Sequence, residues 1–187
     1  MNEKEFWSLI EKSKEQENQD EQNHWLMEQL THKIETEIVD FGMIFETFMT
    51  QSYDQKLWGA AYVIMGGCSD DLFDYFRGWL IAQGEEIYKG VLNSPEILAD
   101  YIPQDWHDEE LMPDNEEILS VAQDAYTFKK TNSTEYDEAA ADHFQEELDH
   151  RGASITREIE FEWEDDDDLS KMFPKLWKRF GEEPLEY

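Results

Sequence analysis

The feature that most constrains the fold is a pair of apolar stripes at helical spacing, separated by a glycine pair and a capping serine. Leu57, Trp58, Ala61, Tyr62 and Met65 recur at three- and four-residue intervals, which places them on one face of a helix. Gly66 and Gly67 follow and supply the positive-φ positions that end helices. Ser69 is then placed to cap a second helix, with Asp70 and Asp71 favourable beside its positive end. Leu72, Phe73, Phe76, Trp79, Leu80 and Gln83 form the stripe of that second helix. Two adjacent helices in a turn this tight need further helices to cover them.

Those helices are legible on both sides. Asn2 is a good N-cap with Glu5 three residues on, opening a helix that carries Phe6, Trp7, Leu9 and Ile10. A second helix bears Trp25, Leu26 and Leu30, and a third runs from about Ile34 through Ile38, Phe41, Phe45, Phe48 and Met49. Beyond Gly84 a short helix spans 85–92, and Pro95 sits at the first position of another, 96–101. A loop with Trp106 then leads to a helix expected over 116–129. Residues 137–150 have helical composition but only Ala139 to Ala141, Phe144 and Leu148 to bury. From Ile155 to Trp163 the apolar residues fall on odd positions, which fits a strand. A last short helix is expected around Phe173, Leu176, Trp177 and Phe180.

The fold class expected is mainly α: a single compact multi-helix domain with an acidic C-terminal extension and room for one short β element. Residues 1–130 are expected to form the helical core domain, 131–162 a divergent or inserted acidic segment, and 163–187 an acidic linker and a C-terminal helix packing on the core.

Charge narrows the function. Forty-six acidic residues face 15 Lys and Arg, a formal net charge of −31, and 26 of the acids lie after residue 103. Nucleic acid is disfavoured, because phosphate contacts need a basic cluster larger than Lys175, Lys178 and Arg179. Anionic membranes are disfavoured by the same reasoning, and the longest apolar stretch, 57–65, is too short to span a bilayer. One cysteine, Cys68, permits no intramolecular disulfide, and the first ten residues lack the apolar run of a signal peptide. A cytoplasmic location is expected. A field of this sign attracts basic proteins, polyamines or divalent metals.

The chain resembles the bacterial family catalogued as domain of unknown function 4240. The resemblance rests on the first helix with Phe6 and Trp7, and on the block containing Trp58, Gly59, Gly66, Gly67, Asp70, Asp71, Phe76, Arg77, Gly78 and Trp79. The tail from Trp163 through Pro174, Leu176 and Phe180 adds to it. It implies a bacterial cytoplasmic helical domain and brings no activity and no catalytic residue with it.

Each candidate site also has a structural role open to it. Ser69 lacks the preceding strand, flanking glycines and nearby histidine of a nucleophile elbow, so capping accounts for it. Cys68 at a helix start faces Asp70 and Asp71, which oppose thiolate formation. Arg77, with Asp70, Asp71 and Asp74 on its own helix and Trp58, Tyr62, Tyr75 and Trp79 available as walls, is a candidate ligand-binding centre; an ordinary Asp74–Arg77 helix pair is the alternative. His143, Glu147 and His150 share a helical face and form a candidate metal set, with a plain charged face as the commoner explanation. Consecutive aspartates at 165–168 lack the spacing of a calcium loop. No catalytic residue and no cofactor is indicated.

Two functions follow. The first is a non-enzymatic acidic interaction module that binds a basic protein in an inhibitory, immunity-like or regulatory role. The alternative is a small-molecule-binding or hydrolase-type site around Trp58, Asp74 and Arg77.

Overall fold

Local sequence signals set the helix boundaries before any packing does. At the start of α1 (Glu3–Ser13) the Asn2 side chain accepts from the Glu5 amide at 3.0 Å, and the Glu5 carboxylate accepts from the Asn2 amide at 2.9 Å. This reciprocal arrangement satisfies two donors that a helix start leaves orphaned. Asn18, Asp54, Ser69, Asp137 and Asp165 cap five further helices through the side chain alone, each accepting from an amide of the first turn. Gly66, at φ 65°, ends α4 in the left-handed conformation where a Cβ is penalised.

The computed structural model describes residues 1–109, 111–152 and 159–185. Among them lie eleven α-helices and no strand. After α1 come α2 (Gln19–Thr31), α3 (Glu35–Gln51), α4 (Gln55–Met65), α5 (Asp70–Ala82), α6 (Glu85–Asn93) and α7 (Leu98–Tyr101). The remainder are α8 (Val121–Thr131), α9 (Glu138–His150), α10 (Asp166–Met172) and α11 (Pro174–Phe180). None of the described helices is long and apolar enough to cross a membrane.

The core is aromatic and continuous. Phe6, Trp7, Phe41, Phe48 and Tyr88 stack with ring centroids 4.6 to 5.6 Å apart and join α1, α3 and α6. A second aromatic group, Trp58, Phe73, Phe76 and Trp79, runs from α4 along α5. The α8 helix lies against α2, α3 and α9, so the later part of the chain closes over the first three helices. Close approach of α9 to α3 depends on Gly42, where a Cβ would stand 2.8 Å from the Phe144 ring.

Two expectations need correction. Residues 159–163 of the anticipated strand carry no strand, while 155–158 fall outside the described residues. Alternating apolar residues there do not line a sheet; Phe161 and Trp163 instead lie on the aromatic rings of α4. The helix expected over 116–129 is broken near its start into a 3₁₀ turn at Glu117–Leu119, and α8 begins only at Val121. Asn115 explains the break: its side chain accepts from the Ile118 amide at 3.1 Å and pairs with buried Asn23, which fixes the turn ahead of α8.

Candidate functional site

The residues singled out as a ligand site lie on α4 and α5, and of them Asp74 bonds Arg77, which is 6 % exposed on α5. One guanidinium nitrogen, Nη1, donates to the Met49 carbonyl at the end of α3 at 2.5 Å, and Nη2 donates to the Asp74 carboxylate one turn earlier. The cation lies 5.0 Å from the Tyr53 ring centroid and 4.9 Å from that of Phe73. Its Nε is buried with no hydrogen-bond partner. Arg77 thus joins α5 to the C-terminus of α3, where a cation is favoured by the helix dipole.

Arg77 dominates the electrostatics nearby. Glu46 is exposed, yet neighbouring protein displaces enough water that desolvation raises its carboxyl pKa; Arg77 opposes that shift and Asp74 adds to it. The Cys68 thiol is pushed up to about 12, chiefly by burial, with Arg77 opposing and Asp70 and Asp74 reinforcing. At neutral pH Cys68 is therefore a thiol, a weak nucleophile. Ser69 accepts from the Leu72 amide at 3.2 Å as the cap of α5. Asp70 and Asp71 point to solvent on the first turn.

The aromatic residues proposed as pocket walls are occupied by the protein itself. Trp58, 7 % exposed, stacks on Phe73 with centroids 4.5 Å apart, donates its indole N–H to the Cys68 carbonyl at 3.0 Å, and meets Phe161 edge-on. Tyr62 packs on Trp163, whose indole N–H reaches the Gln55 carbonyl at 3.2 Å. Trp79 is a core residue between Phe76, Tyr101 and Trp106. Tyr75 lies apart from these, donating to the Glu116 carboxylate at 3.1 Å. Neither Glu46 nor Tyr53 was anticipated at this centre, because both come from the end of α3 and its following turn. Phe161 was expected in a strand.

The second constellation is dispersed among other partners. His143 shares a 2.7 Å hydrogen bond between its Nδ1 and the Tyr126 hydroxyl and stacks on that ring. Glu147 lies 3.9 Å from Arg151, and His150 is exposed at the end of α9. Among the described residues no three His, Cys, Asp or Glu side chains are grouped to hold a metal ion. The aspartate run at 165–168 forms the cap and first turn of α10, with the Asp165 carboxylate accepting from the Asp168 amide at 3.1 Å.

On its outer face, α9 carries Glu138, Asp142 and Glu146 in solvent, while Ala140, Ala141, Phe144 and Leu148 hold its inner face against α3 and α8. Tyr136, just ahead of the helix, is 74 % exposed.

Residues 1–128 match the family described as a protein of unknown function, DUF4240, and with more than half of its 187 residues matched the chain belongs to that family. No curated protein and no solved structure matches the chain.

Proposed function

We propose that the protein is an acidic interaction module that binds a basic protein partner in an inhibitory, immunity-like or regulatory role. The observation that carries this reading is the outer face of α9. Glu138, Asp142 and Glu146 have no cation within ion-pair distance among the described residues, and they stand on a helix fixed from behind by Phe144 and Leu148. With the helix backbone held, only the side chains remain to be ordered when a lysine or arginine approaches. Exposed Tyr136 beside them offers the kind of aromatic contact enriched at interfaces. Charge of this density speeds association with a cationic partner and favours it over anionic competitors.

The alternative, a small-molecule or hydrolase-type site at Trp58, Asp74 and Arg77, has less support. Both Nη atoms of Arg77 are engaged within the protein, and Phe161 and Trp163 lie over Trp58 and Tyr62.

The test is affinity capture from the native lysate at low and at high ionic strength, with the parent protein and with the triple variant Glu138→Gln, Asp142→Asn, Glu146→Gln. A basic protein retained at low salt, released at high salt and lost with the variant is the expected result. Retention that ignores both salt and the three substitutions contradicts the reading.

A further inference from the structure

A groove of about 450 Å³ runs along the solvent side of α1, and its charge is opposite to that of the rest of the molecule. Lys4, Ser8 and Lys12 recur every fourth residue, so they line one wall as a continuous stripe facing away from buried Phe6, Trp7 and Ile10. Lys33, in the turn between α2 and α3, closes the groove from the other side, and half-buried Leu9 gives it an apolar patch. One carboxylate, Glu5, is present, and it is turned back onto the Asn2 amide by the capping box.

Two of the three lysines are not paired by the protein and the third is paired only loosely. Lys4 and Lys12 have no carboxylate within 4.0 Å among the described residues, and Lys33 has a single 3.7 Å contact with Glu37. Elsewhere Lys14, Lys89 and Lys130 each hold a glutamate at 3.1 Å or less. With 46 acids to 15 bases, two lysines without a close carboxylate and a third with only the 3.7 Å Glu37 contact leave this groove open to negative charge from outside. The net charge of −31 repels anions at long range, but salt screens that field beyond about 8 Å at physiological ionic strength. Inside the groove the nearest ammonium groups decide the sign.

We propose that this groove binds a small multivalent anion carrying at least two phosphate or carboxylate groups. Lys4 and Lys12 stand eight residues apart, about 12 Å along the helix axis, and each takes one anionic group on its flexible stem. Ser8, between them, donates its hydroxyl, and Lys33 covers the bound molecule from across the groove. This site is independent of the acidic face of α9 and stands or falls separately from it.

Calorimetric titration of the full chain with inorganic pyrophosphate, and in parallel with citrate, tests the assignment; the tighter of the two says whether phosphate or carboxylate is preferred. Saturable binding at millimolar or lower concentration is expected, weakened at least about tenfold in the double variant Lys4→Gln, Lys12→Gln and retained in Lys56→Gln and Lys178→Gln. Backbone amide resonances of α1 should shift on titration. Lys4 and Lys12 are exposed, so their loss leaves the fold intact by circular dichroism. Absence of saturable binding with both probes, or equal loss in the two control variants, overturns the proposal.

Discussion

Replacing Arg77 tests whether the α3–α5 junction is held as described. Arg77→Met keeps the aliphatic stem and removes the guanidinium, so packing is largely conserved and polar contacts are lost. The Nη1 bond to the Met49 carbonyl is charge-assisted and buried, worth about 1.5 to 3 kcal/mol. The Met49 oxygen also accepts from the Ser52 hydroxyl at 3.1 Å, so it is not orphaned, which holds the loss towards the lower end of that range. Contact with the Tyr53 and Phe73 rings adds about 0.5 to 2 kcal/mol. The Asp74 pair adds little, because the Asp74 side chain is 48 % exposed and such pairs are worth about 0 to 1 kcal/mol. Arg77→Met is therefore expected to cost about 2 to 4 kcal/mol in urea unfolding, Arg77→Ala more because the stem is lost too, and Asp74→Asn less than about 1 kcal/mol. A loss below about 0.5 kcal/mol for Arg77→Met, the scatter of neutral surface changes, refutes the reasoning. So does an Asp74→Asn penalty equal to that of Arg77→Met, since the ion pair would then carry the junction.

Other consequences of the same geometry are testable. Desolvation by neighbouring protein raises the pKa of Glu46 even though the residue is exposed, so its folded value lies above its ordinary value of 4.5 and the protonated form favours the fold. Stability linked to this group is complete below the ordinary pKa and is lost as pH rises through the raised one; Glu46→Gln is expected to remove that loss, and a pH–stability profile as steep as the parent's contradicts it. Cys68, with its thiol pushed up to about 12, is expected to react with iodoacetamide at mildly alkaline pH far more slowly than in the urea-unfolded chain. Equal rates in the two states sink that expectation. Gly42→Ala drives a Cβ to 2.8 Å from the Phe144 ring and is expected to cost about 1 to 3 kcal/mol, with α9 separating from α3 in amide exchange; unchanged protection of α9 counts against it.

The helices were legible because each carries its own stop and start chemistry. Asn2 with Glu5, Gly66 with Ser69, and Pro95 are local signals, and the structure places boundaries where they fall. The stretch from Ile155 to Trp163 misled because a period of two marks a strand only where another strand is there to pair; Phe161 and Trp163 answer to the rings of α4. The sequence grouped the candidate ligand residues on two neighbouring helices, of which Asp74 bonds Arg77, yet no local pattern shows that Met49, Tyr53 and Glu46 of the preceding helix and turn surround the guanidinium. His143 illustrates the same limit. Its face on α9 was visible in the sequence, whereas the Tyr126 hydroxyl that engages it comes from α8.

The guanidinium of Arg179 on α11 donates to three main-chain oxygens, Ala99 at 2.7 Å, Ile102 at 2.6 Å and Pro103 at 2.7 Å, and so finishes the end of α7. The Leu185 amide reaches the Ile64 carbonyl at 2.8 Å, and Leu169, Phe173, Leu176 and Phe180 are buried alongside. A chain severed after residue 128, where the family match stops, would uncover an oily flank of α4 and leave those three oxygens to water. The C-terminal helices thus belong to the same folding unit as the matched residues, and a fragment ending at residue 128 should clump rather than stay dispersed.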